Sequence, residues 1–255
     1  LATTSVVPLV AFPALGIASI QDTAAPYAHH LLFLMLGGFV MGKAMEQVGL
    51  HERLVSALLR PAWVRQRPAR VVLALMIAAA AMSGIVSNTA TTLMLLPVAA
   101  GLARIAAGSD RARSGFVLAL AYAASIGGVA TLVGTPPNAI LAKELPSVTF
   151  ANWMPIGVPF VLLAVPAAWW VVTRAALPLP ERFETPPQAP PRHPWSRAEV
   201  GVTAVILTAM ALWLTRRAAD LGPVTVPGWS SLFPDPAGVT DAWVAMGACL
   251  VLLLL

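Results

Sequence analysis

The chain has 255 residues, of which 58% are hydrophobic and only 11% are charged. Soluble domains average about 25% charged residues, so this composition excludes a soluble globular domain and indicates a polytopic membrane protein. The net charge of +5 comes from basic clusters between apolar stretches, without aromatic interleaving of the kind that single-strand binders use, which argues against nucleic-acid binding.

Two apolar stretches open the chain and predict scaffold transmembrane helices within residues 1–48. They cover residues 3–20 and residues 31–48. Residues 49–70 then alternate arginines with leucines and a tryptophan. Because this mixture is typical of a helix that lies in the headgroup plane, we predict an interfacial amphipathic helix there.

The next stretch, residues 71–103, contains no charged residue and is flanked by Arg70 and Arg104. As a helix it would be about 50 Å long, too long for one span of about 20 residues and barely enough for two. Basic flanks at both ends indicate that the chain enters and leaves on the cytoplasmic face. We therefore predict a re-entrant helical hairpin over residues 71–106. Its polar tip consists of Ser83, Ser87, Asn88 and Thr89.

A second interrupted helix is predicted over residues 114–150. Residues 114–142 carry no charge, and the sequence Gly-Thr-Pro-Pro-Asn stands at 134–138. Proline lacks a backbone N–H and disfavours helix at the preceding residue, so the helix should unwind at this loop. The residues that support the loop are Pro136, Pro137 and Asn138. The glycine pair at 127–128 favours helix packing over ligand binding.

The rest of the chain predicts a transmembrane helix over residues 151–177, a proline-rich cytoplasmic linker over 178–198, and further apolar helices in 199–255. Asp241, directly after Thr240, predicts an N-cap for the last of these helices. With this topology, thirteen of the sixteen lysines and arginines lie inside and three outside, in agreement with the positive-inside rule. Two complete spans in place of the hairpin would give the same count, so that alternative stays open, although the polar tip favours the hairpin.

The polar tip offers neutral oxygen ligands for a small monovalent cation. Ser83 and Ser87 are four residues apart and share a helix face, while Asn88 and Thr89 add amide and hydroxyl oxygens. Helix N-termini near Thr89 and Asn138 would favour an anion at the same depth. The spans hold no charged pair or metal-ligand motif, so we expect a transport protein rather than an enzyme, with no cofactor apart from a coupling ion.

Two motifs are similar to the divalent anion/sodium symporter (DASS) family of dicarboxylate, citrate and sulfate transporters. They are SNTATTLMLLP at 87–97, which resembles the hairpin tip, and ASIGGVATLVGTPPNAI at 124–140, which resembles the broken helix. The resemblance implies an inverted-repeat transporter fold, usually a homodimer, in a cell membrane such as the bacterial inner membrane, with a transport domain that moves as an elevator. It also implies a sodium site of Ser83, Ser87, Asn88 and Gly134, and substrate contacts from Asn88, Thr89 and Thr135.

The resemblance covers the first repeat and, in residues 199–255, the opening of the second. The family's second hairpin and second broken helix do not occur in this sequence, and no signal peptide is found, so we expect a fragment that does not transport alone. Sodium-coupled symport of a dicarboxylate or citrate is the leading function. Sodium-independent exchange, or a relative that moves sulfate or arsenite or uses protons, is the alternative, and a channel or receptor is a more distant one.

Overall fold

The computed structural model describes residues 2–106, 110–145, 147–176, 179, 183, 187–188, 193–220 and 225–255. This part of the chain is almost entirely helical, which confirms the predicted class of a helical membrane protein. The exception within these residues is an antiparallel pair of two-residue strands, β1 (Ala219–Asp220) and β2 (Thr225–Val226).

Twelve α-helices are described, in the order α1 (Ala2–Ala14), α2 (Ile20–Ala24), α3 (His30–Gln47), α4 (Leu50–Leu59), α5 (Ala62–Arg65), α6 (Pro68–Ser83), α7 (Asn88–Ala106), α8 (Asp110–Gly127), α9 (Pro136–Glu144), α10 (Phe150–Val171), α11 (Arg197–Thr215) and α12 (Asp241–Leu253). A π-helical turn, Val172–Ala176, extends α10, and short 3-10 turns occur at Ala25–Ala28, Gly128–Ala130 and Trp229–Leu232.

Three helical stretches in the described residues are long and apolar enough to cross a membrane: Ile20–Gln47, Phe150–Arg174 and Arg197–Thr215. Large aliphatic side chains of α10 point away from the protein, with Leu163 75% exposed and Leu162 67% exposed. Contiguous apolar surface of this kind is unfavourable in water and is the surface that lipid tails cover. The chain is therefore a multi-pass membrane protein.

Two helix boundaries differ from the predicted segments because of local backbone signals. The apolar stretch 3–20 is not one helix, since α1 ends at Ala14 and Gly16 takes a left-handed conformation with φ +68°. Glycine in that conformation commonly terminates a helix. The predicted interfacial helix is divided into α4 and α5, and Pro61 stands at the N-cap of the second piece.

Helix α8 packs against both α6 and α7 and holds the two arms of the predicted hairpin. At Gly127, the last residue of α8, a methyl group would overlap the main chain of Ala80 in α6. The two helices approach this closely because neither residue has a bulky side chain, as small residues allow in membrane bundles.

A buried ion pair ties α11 to α12. The guanidinium Nε of Arg216 lies 2.6 Å from Oδ1 of Asp241, and both residues are less than 10% exposed. The other carboxylate oxygen of Asp241 accepts a hydrogen bond of 3.1 Å from the Phe150 N–H at the start of α10. The predicted N-cap role of Asp241 is wrong, because the N-cap residue of α12 is Thr240 and the carboxylate joins three helices instead.

A second ion pair fastens α4 to the start of α11. Arg53 lies 2.8 Å from the Glu199 carboxylate, donates to the carbonyls of His193 and Pro194, and stacks 4.3 Å above the Trp195 ring. These contacts fix the end of the proline-rich linker. Most of the predicted linker before residue 193 lies outside the described residues.

Candidate functional site

The candidate site lies where two interrupted helices meet. Helix α6 ends at Ser83, and α7 begins at Asn88 after a four-residue loop. The α6 end is closed by main-chain hydrogen bonds from Ile85 and Val86 to the Met82 carbonyl. The break therefore falls within the polar cluster that the sequence predicted as the hairpin tip.

Two of the predicted sodium ligands are in direct contact across this break. The Ser83 hydroxyl donates a hydrogen bond of 2.6 Å to the side-chain Oδ1 of Asn88. Ser83 is fully buried, whereas Asn88 is only partly buried. This pair places a hydroxyl and an amide oxygen side by side, both of them neutral ligands that hard cations accept.

The second helix breaks close to the first. After α8 and a 3-10 turn, the chain unwinds from Thr131 and becomes helical again at Pro136. Thr131 connects the two breaks, because its hydroxyl donates to the Gly84 carbonyl in the α6–α7 loop. The same hydroxyl accepts hydrogen bonds of 3.2 Å from the N–H groups of Val133 and Gly134. One buried side chain thus holds both unwound segments together.

Asn138 stabilises the unwound segment from the other end. Its amide donates to the carbonyls of Gly128, at 3.0 Å, and of Thr131, at 2.8 Å. Asn138 is 6% exposed, so these bonds satisfy main-chain groups that have left the helix inside the protein. The supporting role predicted for Asn138 stays a prediction. Pro136 and Pro137 occupy the first two positions of α9 and are exposed.

Two glycines allow the hairpin tip and the unwound loop to approach each other. A methyl group on Gly134 would lie 2.5 Å from the Gly128 carbonyl oxygen and 2.7 Å from the Ser83 carbonyl oxygen. A methyl group on Gly128 would overlap the amide of Asn88. Ser83, Asn88 and Gly134 are therefore gathered at one point, with Gly128 as a fourth member.

The other predicted ligands are nearby in the chain but do not join this cluster through hydrogen bonds. The Ser87 hydroxyl accepts a bond of 3.3 Å from the Ala90 N–H and so caps the first turn of α7. Thr89 is exposed and Thr135 is half-buried, and neither hydroxyl forms a hydrogen bond within the described residues. These two hydroxyls are available to a ligand.

The helix N-termini at the site are not equivalent as anion sites. In α7, the N–H groups of Asn88 and Thr89 make no hydrogen bond to the described residues. In α9, two prolines remove two donors and the Asn138 N–H is bonded to the Thr135 carbonyl at 3.1 Å. The N-terminus of each helix contributes about half a positive charge. Helix α7 retains more free backbone N–H donors than α9.

Sequence reasoning missed Thr131. The packing role predicted for the glycine pair agrees with the close approach of Gly127 to Ala80 and of Gly128 to Asn88. Gly-Gly at 127–128 and a threonine three residues later do signal a break in an apolar helix. Their partners lie up to 47 residues away, as in the Thr131–Gly84 contact, and spacing along one helix does not reveal such pairs.

In the described residues, no group of three or more His, Cys, Asp or Glu side chains is arranged to hold a metal ion.

The fold defines a helical membrane protein in which two interrupted helices meet at one polar site. The chain belongs to the citrate transporter family, whose sequence model (CitMHS) matches residues 1–254.

Curated relatives carry transporter names. The chain is 30% identical over its whole length to the sodium-dependent high-affinity dicarboxylate transporter 3 of Caenorhabditis elegans, and covers 49% of that protein. It is 32% identical, over 85% of its length, to the sodium-dependent dicarboxylate transporter SdcS of Staphylococcus saprophyticus, and covers 45% of it. The chain therefore spans about half the length of these relatives. Their names confirm the predicted resemblance to the divalent anion/sodium symporters.

Proposed function

We propose that the full-length protein is a secondary transporter that carries a divalent or trivalent organic anion, a C4-dicarboxylate or citrate, together with sodium. The observation that carries the proposal is the contact between Ser83 and Asn88 against Gly134, which joins two interrupted helices through neutral oxygen atoms. Sodium is bound by Ser83, Ser87, Asn88 and the main chain at Gly134. The substrate carboxylate is bound by Asn88, Thr89 and Thr135.

Charge balance provides the reason for coupling. Residues 71–103 and 114–142 contain no lysine or arginine, so no side-chain cation on these segments faces the substrate. Two helix N-termini supply only about half a charge each, too little to offset two carboxylates away from water. A bound sodium ion adds the missing charge and fixes the position of Asn88. The names of the relatives support sodium as the coupling ion and a dicarboxylate as the substrate.

The transport proposal predicts sodium-driven accumulation. Full-length protein in proteoliposomes should accumulate labelled succinate or citrate when sodium is present outside, and should not when choline replaces sodium, because the site lacks the coupling charge. Empty liposomes provide the background. Uptake that is equal in choline, and is accelerated by succinate preloaded inside, would contradict symport and assign the site to an exchanger.

We further propose that α6 and α7 form a re-entrant hairpin within an elevator-type transport domain. Helix α6 has 16 residues and is about 24 Å long, shorter than the hydrocarbon core of about 30 Å. In a cysteine-free variant of the full-length protein, with Cys249 replaced by alanine, Ile85→Cys in the loop should react with a membrane-impermeant thiol reagent from either side in turn. Sodium plus succinate should slow that reaction.

Leu232→Cys is the matched control for the labelling experiment, because Leu232 is 83% exposed in the loop before α12. It should react from the outer side under all conditions. The contrary outcome is that Ile85→Cys reacts from the outer side alone, at the same rate as Leu232→Cys and no more slowly in sodium plus succinate. That result would contradict the hairpin and indicate two complete spans.

A further inference from the structure

A polar cavity of about 240 Å³ lies at the far end of α11 from the Arg53–Glu199 ion pair. Helix α11 has 19 residues and is about 28 Å long, so Glu199 near its start and Arg216 just beyond its end are separated by nearly a membrane thickness. The titratable side chains that line the cavity are His29, His30, Lys143, Arg216, Arg217 and Asp241.

The lining of this cavity has an excess of positive charge. Its three cations exceed its one carboxylate by two charges when the histidines are neutral. Asp241 is already paired with Arg216, which also donates a hydrogen bond of 2.6 Å to the Val239 carbonyl. Lys143 and Arg217 are exposed and form no ion pair with the described residues. A buried, immobilised arginine and two free cations therefore face one space.

The cavity is close to the candidate site in the chain. Leu132, which is buried and lines the cavity, follows Thr131 directly and lies two residues before Gly134. Lys143 lies in the last turn of α9, the half-helix that starts at the unwound loop. A ligand in the cavity would therefore contact the same short segment that carries the site.

The distribution of basic residues gives the cavity its membrane side. The predicted topology places thirteen lysines and arginines inside and three outside. The three outer residues are Lys143, Arg216 and Arg217. All three line this cavity. Outer loops carry few cations, and those assigned to the outer loops here are gathered at a single cavity.

We propose that this cavity is an outer entry site that binds a carboxylate group of the anionic substrate before the substrate reaches the hairpin tip. The proposal rests on the proposed function for the identity of the substrate. At about 30 Å³ per water molecule, the cavity holds about eight waters, enough space for a four-carbon dicarboxylate. A concave site with charge of one sign raises the local concentration of the opposite ion and speeds its association.

Kinetics of the full-length protein provide the first test. The double variant Lys143→Gln/Arg217→Gln should raise the KM for succinate about three- to tenfold at low ionic strength, with maximal uptake unchanged, because only capture is lost. The increase should shrink as salt screens the charges. The matched control Arg67→Gln/Arg174→Gln removes two exposed arginines assigned to the inner side and should keep the wild-type KM. An unchanged KM in the Lys143/Arg217 variant would overturn the entry role.

A binding measurement separates this proposal from the transport proposal. The purified full-length protein is placed in phosphatidylcholine nanodiscs and treated with an amine-directed reagent. Lys143 should react more slowly in succinate than in chloride of equal ionic strength.

Equal reaction rates of Lys143 in the two salts would overturn the entry site, even if uptake is sodium-driven. Protection of Lys143 in a wild-type protein that takes up no succinate would instead overturn the transport proposal alone. Protection that requires phosphatidylglycerol and not succinate would assign the cavity to a lipid phosphate and overturn the entry site.

Discussion

Replacement of Asn88 by alanine should abolish sodium-dependent uptake by the full-length protein. Its Oδ1 is the acceptor for the fully buried Ser83 hydroxyl, so the variant loses a proposed sodium ligand and leaves that hydroxyl without its partner. An unpaired buried polar group costs about 1–3 kcal/mol, and a lost hydrogen bond to a charged ligand costs about as much. Because the proposed sodium and substrate sites both include this amide, uptake in proteoliposomes should fall to the level of empty liposomes.

Asn152→Ala is the matched control for this substitution. Asn152 forms the capping box at the start of α10, with its Oδ1 2.6 Å from the Thr149 N–H, and lies outside the candidate site. Its loss should lower the free energy of unfolding by about 1 kcal/mol and leave uptake intact. Uptake by Asn88→Ala within twofold of wild type would contradict the role assigned to Asn88.

Gly134→Ala should be nearly as damaging, through steric overlap rather than loss of a ligand. The new methyl group would lie 2.5 Å from the Gly128 carbonyl oxygen and 2.7 Å from that of Ser83. Both obstacles are main-chain atoms, so the hairpin tip and the unwound loop must separate. Overpacking of this kind costs about 1–3 kcal/mol. If the whole cost opposes sodium binding, sodium affinity falls roughly five- to 150-fold.

The control is Gly101→Ala in α7, where a methyl group meets no atom within 4 Å. That variant should keep wild-type sodium affinity and gain about 0.8–1 kcal/mol of helix stability, because alanine favours helix over glycine. The two variants are compared by the sodium concentration that gives half-maximal uptake. Equal values for Gly134→Ala and Gly101→Ala would show that the close approach at Gly134 does not shape the sodium site.

The sequence predicted where both helices break, because each break is marked by local chemistry. Ser83 and Asn88 bound the first break. The second ends at Pro136, where Gly134, Thr135 and two prolines oppose helix formation. Charge-free stretches with basic flanks defined the helices around them. These signals act within a few residues and can therefore be read from one sequence.

The contacts between the breaks could not be predicted in this way. The Thr131–Gly84 hydrogen bond and the Gly128–Asn88 approach depend on how α8 packs against α6 and α7, not on spacing along any one helix. Asp241 shows the same limit. Its position directly after Thr240 suggests a helix cap, whereas its carboxylate pairs with Arg216, 25 residues earlier in the chain.

The central claim, that sodium completes the anion site, is tested most directly by calorimetric titration of succinate into the purified full-length protein. The titration is made in sodium chloride and again in choline chloride at equal ionic strength. Coupling free energies between two ligands are typically about 1–3 kcal/mol, so succinate should bind about five to 150 times more tightly in sodium. Equal affinity in the two salts would contradict the account, because the site would then hold the dianion without the charge of the coupling ion.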